Sequence, residues 1–204
     1  MSSVKRAFVQ QPFSFAAGLI SVSLLLSGCQ ADIVHLRPMA ELNQRAQAMM
    51  AAGDYAGAIA RLESAHDLNP SEPNTSYNLA LAYQAADKPM QAIPLIADLL
   101  ERKPSGAPST GELQKTMGIL WEARGDQLQK AAQLIESDDE KGAKKPAADA
   151  APNERQLEAD RAYASAIDYY HQALQTKDLH DSESIKQQVA ALEARKNKQA
   201  PLSL

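Results

Sequence analysis

AQAMMAAGDYAGAIARLESAHDLNP, residues 46–70, is answered by ALAYQAADKPMQAIPLIADLLERKP, residues 80–104. Ala46, Met49, Gly53, Tyr55, Ala58, Ile59, Leu62, Ala65 and Pro70 return 34 residues later as Ala80, Tyr83, Asp87, Pro89, Ala92, Ile93, Ile96, Leu99 and Pro104. Size and polarity recur at most of these places. A fixed period of this length means one supersecondary unit stacked on its copy, because neither unit buries its apolar face alone. Stacked helix pairs make a curved surface suited to holding another chain.

Each unit reads as two helices. Ala40 to Ala52 is rich in strong helix formers, Gly53-Asp54 breaks it, and Tyr55 to Leu68 resumes with Tyr55, Ala58, Ile59, Leu62 and Ala65 on one face. Asn69-Pro70 stops the pair, since proline cannot continue a helix. The next pair runs over about 73–86 and 89–102 and closes at Lys103-Pro104. Pro89 suits a helix start, where its missing N–H costs nothing. Pro94, five residues further in, is expected to kink the helix or displace its first turn.

A third unit is present but split. Gly118, Trp121 and Gly125 keep the spacing of Ala46, Met49 and Gly53, so a first helix is expected from about Glu112, with Gly125, like Gly53, at a helix turn. Its partner comes late: Tyr163, Ala166, Ile167, Tyr170 and Ala173 repeat the spacing of Tyr55, Ala58, Ile59, Leu62 and Ala65. The inserted segment, 127–162, continues apolar stripes on both sides. Leu113, Met117, Leu120, Trp121, Leu128, Ala131 and Ile135 form one, and Leu157, Ala164, Ile167 and Leu174 the other, interrupted by Asp160 and Arg161. Two helices longer than the repeat, forming an αα-hairpin, are therefore expected. The tip, Ser137 to Pro152, is too polar and too rich in Ala and Pro to bury a core, and is expected to be mobile. A last helix, about 181–196, shows Ile185, Val189 and Leu192 on one face and charges on the other, as a capping helix requires. Residues 197–204 are expected to fray.

These units resemble tetratricopeptide repeats. The resemblance rests on Asn78-Leu79-Ala80-Leu81-Ala82-Tyr83, on the small residues Ala46, Ala58, Ala80 and Ala92, and on the closing Pro70 and Pro104. It implies an all-α helix-turn-helix solenoid of about three repeats (39–72, 73–106 and 111–178) with a cap at 181–196. It also implies binding of protein partners. In this family extended peptides lie on the inner face of each first helix, which maps here onto Asn43, Gln47 and Met50, then Tyr77, Leu81 and Gln84, then Lys115, Ile119 and Glu122. The carboxylate clamp of chaperone-binding members is not matched: only Asn78 corresponds, with Lys115 the sole cation nearby. A competing expectation is that the cap or residues 33–36 cover this face and make Tyr77 and Leu81 core residues.

The N-terminus carries its own pattern. Lys5 and Arg6 precede an apolar run from Phe13 to Leu26, and Leu26-Ser27-Gly28-Cys29 closes it with small residues before the chain's one cysteine. The run is too short for a comfortable membrane span. It resembles a bacterial lipoprotein signal, which implies cleavage of residues 1–28 and lipidation of Cys29. At about 0.8 kcal/mol per buried methylene, two or three acyl chains hold a protein on a bilayer, and the thiol is then unavailable for a disulfide. Gln30 stands where Asp is the usual inner-membrane retention signal. The resemblance therefore implies the periplasmic face of the outer membrane, or the outer face of the plasma membrane in a cell with one membrane. Residues 29–38 read as a tether of at most roughly 30 Å, with Ile33, Val34 and Leu36 packing on the first helix in preference to touching lipid.

Removing the first 28 of 204 residues leaves 176, and loss of Lys5 and Arg6 takes the formal charge from −4 to −6. That length suits one repeat domain, and an acidic chain without a basic stripe gives no support for nucleic-acid binding. No enzyme signature is evident. The nine glycines are scattered and form no phosphate loop. No serine has a nucleophile-elbow setting, since the chain lacks the strands such a turn needs. His35, His66, His171 and His180 are single and separated, without metal spacing, and His66 and His171 sit beside an apolar stripe. Asp138-Asp139-Glu140 lacks the alternating ligands and glycine of a calcium loop. No catalytic residue, metal or cofactor is expected. The expected role is a membrane-tethered adaptor for envelope proteins or peptides, of the general kind serving pilus, secretion or cell-wall assembly. The alternative is a structural lipoprotein that self-associates as a homodimer through hairpin residues such as Leu128, Ile135 and Leu157.

Overall fold

The 34-residue echo persists in the backbone. Helix α1, Gln30–Ala51, and helix α3, Pro73–Ala85, end in the same turn. Gly53 and Asp87 both take positive φ, +80° and +55°. The N–H of Asp54 reaches the carbonyl of Met49 at 2.9 Å, and Lys88 reaches Tyr83 at 2.9 Å. A left-handed residue after the last turn lets the chain satisfy the orphan carbonyls of the helix end. The second helix of each pair follows at once: α2, Tyr55–Leu68, and α4, Pro89–Arg102. Asp54 caps α2 by accepting from the Gly57 N–H at 2.9 Å. No side chain caps α4, which begins on Pro89, a residue with no N–H to satisfy. The helix starts there and runs through Pro94, so its first turn is not displaced.

The computed structural model describes residues 30–140, 152–179 and 181–199. The chain divides into two compact units, Met1–Ala40 and Glu41–Leu204. Within the second, the repeated small residues make the helix crossings. Ala46, Ala58, Ala80 and Ala92 are all fully buried, and Leu62, Ile96 and Leu99 fill the space between units. Each such aliphatic side chain contributes about 1.5–3 kcal/mol by leaving water.

The third unit is built differently. Helix α5, Thr110–Glu140, and helix α6, Pro152–Gln175, form the long antiparallel hairpin. Ser109 starts α5: its Oγ accepts from the Glu112 N–H at 3.2 Å and its carbonyl from Leu113 at 3.0 Å. At 1.5 Å per residue α5 is about 46 Å long against about 21 Å for α4, so its far half has α6 as its neighbour. Leu128 there joins Ala159 and Tyr163 in one buried cluster. The close approach rests on two glycines. A Cβ at Gly118 would lie 2.6 Å from the ring of Tyr170, and one at Gly125 would lie 2.5 Å from Tyr163. Each tyrosine then reaches across to α5: Tyr170 donates to Glu122 Oε2 at 2.9 Å, and Tyr163 to Asp126 Oδ1 at 2.8 Å and Gln129 Oε1 at 3.0 Å. Helix α7, Ser182–Gln199, closes the stack with Ile185, Val189 and Leu192 inward.

Several expectations are corrected. Gly125 does not end a helix; α5 runs straight through it, because a tyrosine ring occupies the space that a side chain would need. Residues 30–38 are helical and not an extended tether: α1 starts at Gln30 and includes Pro38, whose fixed φ is itself helical. Their side chains lie outside the described residues, as do Cys29, the leader and His180. Helix α5 extends through Glu140, so the expected tip at 137–152 is helical at its start, and residues 141–151 lie outside the described residues. Helix α7 reaches Gln199, three residues beyond the expected end. On α6 the buried stripe is Ala159, Ala162, Tyr163, Ala166, Ile167, Tyr170 and Ala173, while Leu157 is 51% exposed.

Candidate functional site

The first helices α1, α3 and α5 carry the nine residues of the inner face, and the structure treats them unequally. Asn43 donates to Thr75 Oγ1 at 2.8 Å and accepts from Asn78 Nδ2 at 3.4 Å. These amides fasten the first unit to the second, so Asn78, the one clamp-like asparagine, is engaged within the fold. Gln47 is exposed and Met50 half-buried against the first core cluster. Tyr77 packs on the second cluster and shares a hydrogen bond with Thr116 Oγ1 at 3.4 Å; burial raises its phenol above the usual range. Leu81 and Gln84 are half-buried, and Gln84 Oε1 is buried without a hydrogen-bond partner among the described residues.

Lys115, Ile119 and Glu122 are brought together. They line a cleft of about 360 Å³ whose other walls are Tyr170 of α6 and Ile185 and Gln188 of α7. Ile119 and Ile185 give it an apolar floor. Lys115 lies 3.8 Å from Glu112 at one side, and Glu122 stands at the other. Glu122 is held in place: Tyr170 donates to Oε2, and Gln188 Nε2 donates to Oε1 and Oε2 at 2.7 and 2.8 Å. Next to it Asp126 takes Tyr163 on one side and Arg195 Nη1 at 3.0 Å on the other. Burial, with the neighbouring carboxylate adding to it, pushes Tyr163 and Tyr170 above the ordinary phenol range. Both therefore remain neutral donors at any physiological pH.

The cleft can grip a side chain that is apolar at its end and polar along its edge. Lys115 offers a cation, and Glu122, which already accepts from Tyr170 and Gln188, keeps acceptor capacity for one further donor. The residue-by-residue expectation did not find the wall supplied by α7. The pairs Glu122–Gln188 and Asp126–Arg195 span 66 and 69 residues and leave no periodic trace in the sequence. Tyr170 was readable as part of a buried stripe, but not as a wall of this site.

The hairpin residues of the self-association alternative are also placed. Leu128 lies in the hairpin's own core at 9% exposure, Ile135 is half-buried, and Leu157 faces outward. His66 is half-buried and His171 exposed. Among the described residues no group of three His, Cys, Asp or Glu side chains is placed to hold a metal ion. No described helix is long and apolar enough to cross a membrane.

Comparison with curated proteins and with solved structures gives no match. The family described as Tetratricopeptide repeat matches residues 49–109, the span from the end of α1 to the loop before α5. The fold is accordingly that of a short all-α tetratricopeptide-repeat solenoid, and repeats of this kind point to protein partners.

Proposed function

We propose that this chain is a membrane-tethered adaptor that holds a protein partner of the bacterial envelope in the cleft between α5 and α7. The observation that carries the reading is the joining of Lys115, Ile119 and Glu122 of the inner face with Ile185 and Gln188 of the cap. An apolar floor with charges at its rim suits one anchoring side chain of a bound segment. The tether is the lipid that the Leu26-Ser27-Gly28-Cys29 pattern implies, and the same pattern with Gln30 supports the periplasmic face of an outer membrane. A partner held by the repeats is thereby kept close to that membrane, in the manner of an assembly factor for pilus, secretion or cell-wall machinery.

Site-specific photo-crosslinking in the host tests the adaptor. A benzophenone side chain at Ile119 or Lys115 is expected to capture a discrete protein, and one at exposed Arg61 on α2 is not. Equal capture from Arg61, or capture from there alone, sinks the cleft. The anchor has its own check: mass spectrometry of the mature chain is expected to find an acyl-modified Cys29 at its amino terminus, and an unmodified thiol there rules out lipidation as the tether.

A further inference from the structure

On the opposite side of α5 lies a second concavity that shares no residue with the first. Met90, on the first turn of α4, is 51% exposed, and with Trp121 and Leu128 of α5 and Ala162 of α6 it encloses about 320 Å³. A methionine thioether beside a tryptophan face makes an adaptable apolar seat, and Trp is the residue type most enriched at binding hot spots. Single exposed apolar side chains are ordinary. This one stands at the mouth of a cleft with a charged rim.

The rim decides the chemistry of the occupant. Arg124 and Arg161 both line the cleft, and neither guanidinium has a hydrogen bond or ion pair among the described residues. Among the described residues five cation–carboxylate pairs form, Arg45–Glu41, Arg102–Asp98, Lys115–Glu112, Lys186–Glu183 and Arg195–Asp126, and none of them draws on Arg124 or Arg161. Glu158 is the single acid on the rim, so the cleft carries a local positive excess on a chain whose formal charge is −4. A guanidinium fork is built to take a carboxylate with two parallel hydrogen bonds.

From these residues we infer that the cleft is a second docking site, for a protein segment offering a large apolar side chain next to an Asp or Glu. The apolar side chain enters between Met90 and Trp121, and the carboxylate pairs with Arg124 and Arg161. One chain then carries two independent docking surfaces on the two sides of α5, and both are held in fixed relation by that helix.

Trp121 is the only tryptophan, so the intrinsic tryptophan fluorescence comes from a wall of this cleft. The probes are eight-residue amide-capped peptides with Leu, Ile, Phe or Met flanked by Asp, and the same peptides with Lys replacing Asp. The full chain is titrated with each. The expected result is a saturable change with at least one Asp peptide and with no Lys peptide. Arg161→Glu, at an exposed position that leaves the fold intact, weakens binding by about tenfold or more, while Lys115→Glu in the first cleft leaves it unchanged. Four results overturn the proposal: no change with any Asp peptide up to about 1 mM, equal changes with the Lys set, indifference to Arg161→Glu, or a concentration-dependent dimer by light scattering that Met90→Asp abolishes. The last assigns the cleft to a second copy of this chain.

Discussion

The two ordinary repeat units and the long hairpin solve the same packing problem with different residues. In the first two, an Ala at each crossing lets the helices approach, and Leu62, Ile96 and Leu99 fill what remains. The polar groups buried there, Thr75 and Ser76, are uncharged. In the hairpin the small residues are glycines, Gly118 and Gly125, set against the rings of Tyr170 and Tyr163. The buried tyrosines carry hydroxyl groups that need acceptors, and Glu122, Asp126 and Gln129 supply them. An aliphatic core leaves its surface unspecified. A tyrosine core fixes the carboxylates at its edge, and here those carboxylates are the ones that hold α7 and border the first cleft. The candidate cleft thus lies where the packing already orients charged side chains.

Glycine tests this contrast most severely. Gly53 and Gly125 occupy the same place in the period, yet for different reasons. Gly53 has φ +80° and nothing within 4 Å of an added Cβ, whereas Gly125 is helical with a ring in the way. Gly125→Val and Gly118→Val are each expected to cost about 3 kcal/mol through overpacking, lowering Tm by roughly 6–12 °C in a chain of this size. Gly53→Val pays only for its left-handed backbone, about 1–2 kcal/mol. Thermal unfolding of the three variants measures the difference. If Gly53→Val is as damaging as Gly125→Val, the two glycines are doing the same job and the contrast fails.

The ordinary units were legible because their constraints are local and periodic. Ala at a crossing, Gly or Asp at the left-handed turn, and Pro after the second helix each write one residue type at one spacing, twice. The hairpin's length was legible from its apolar stripes. Its chemistry was not, although a signal was present: Gly118 and Gly125 are seven apart, and so are Tyr163 and Tyr170. Reading Gly125 as a turn hid that match, because the echo with Gly53 pointed the other way. The next residue does not discriminate them either, since Gly53 and Gly125 are both followed by Asp, a good helix starter, as Asp54 and Asp126. Leu157 shares a helix face with half-buried Ala164, seven residues on, whereas the buried stripe through Ala159, Ala166 and Ala173 runs along the opposite side of α6, a choice that only the packing partner decides. The extension of α1 back to Gln30 was hidden by Pro38, normally a sign that a helix starts after it.

Alkaline pH separates the two kinds of core next. Below pH 10, the ordinary phenol value, tyrosines are protonated in folded and unfolded chains alike, so they add no pH dependence. Above it the unfolded chain loses phenol protons while Tyr163 and Tyr170, raised by burial, keep theirs. The unfolded state then binds fewer protons, and stability falls as pH rises through the folded values. In the ordinary units Tyr83, burial and its bond to Glu63 Oε1 at 2.5 Å acting together, is pushed up to about 12 and adds to the same slope. Removing one hairpin hydroxyl, by Tyr170→Phe, is expected to cost about 1.5–3 kcal/mol near neutrality, the net worth of a hydrogen bond to a charged group. The double variant Tyr163→Phe with Tyr170→Phe is expected to flatten the fall in urea midpoint between about pH 10 and pH 11.5. An unchanged slope would place the alkaline sensitivity in the ordinary units.

The smallest effect lies in the turn that the ordinary units share. Asp87 sits at φ +55° where the preceding unit uses Gly53. An L-residue in that region is strained, although Asp tolerates it better than most. Its carbonyl accepts from Gln127 Nε2 at 2.7 Å, a bond to the backbone that a side-chain change leaves in place. Asp87→Gly therefore relieves the strain without removing a contact to the hairpin, at the cost of a looser unfolded chain. The two terms oppose each other, and the expected net is a gain of about 0.5 kcal/mol. The reverse change, Gly53→Asp, is expected to lose a similar amount, because it installs in the first unit the strain that the second already bears. Equal and opposite shifts in denaturation midpoint would show that the two turns are interchangeable parts of one repeat. A loss at both positions would mean that the Asp87 carboxylate does something in the second unit that the echo does not require.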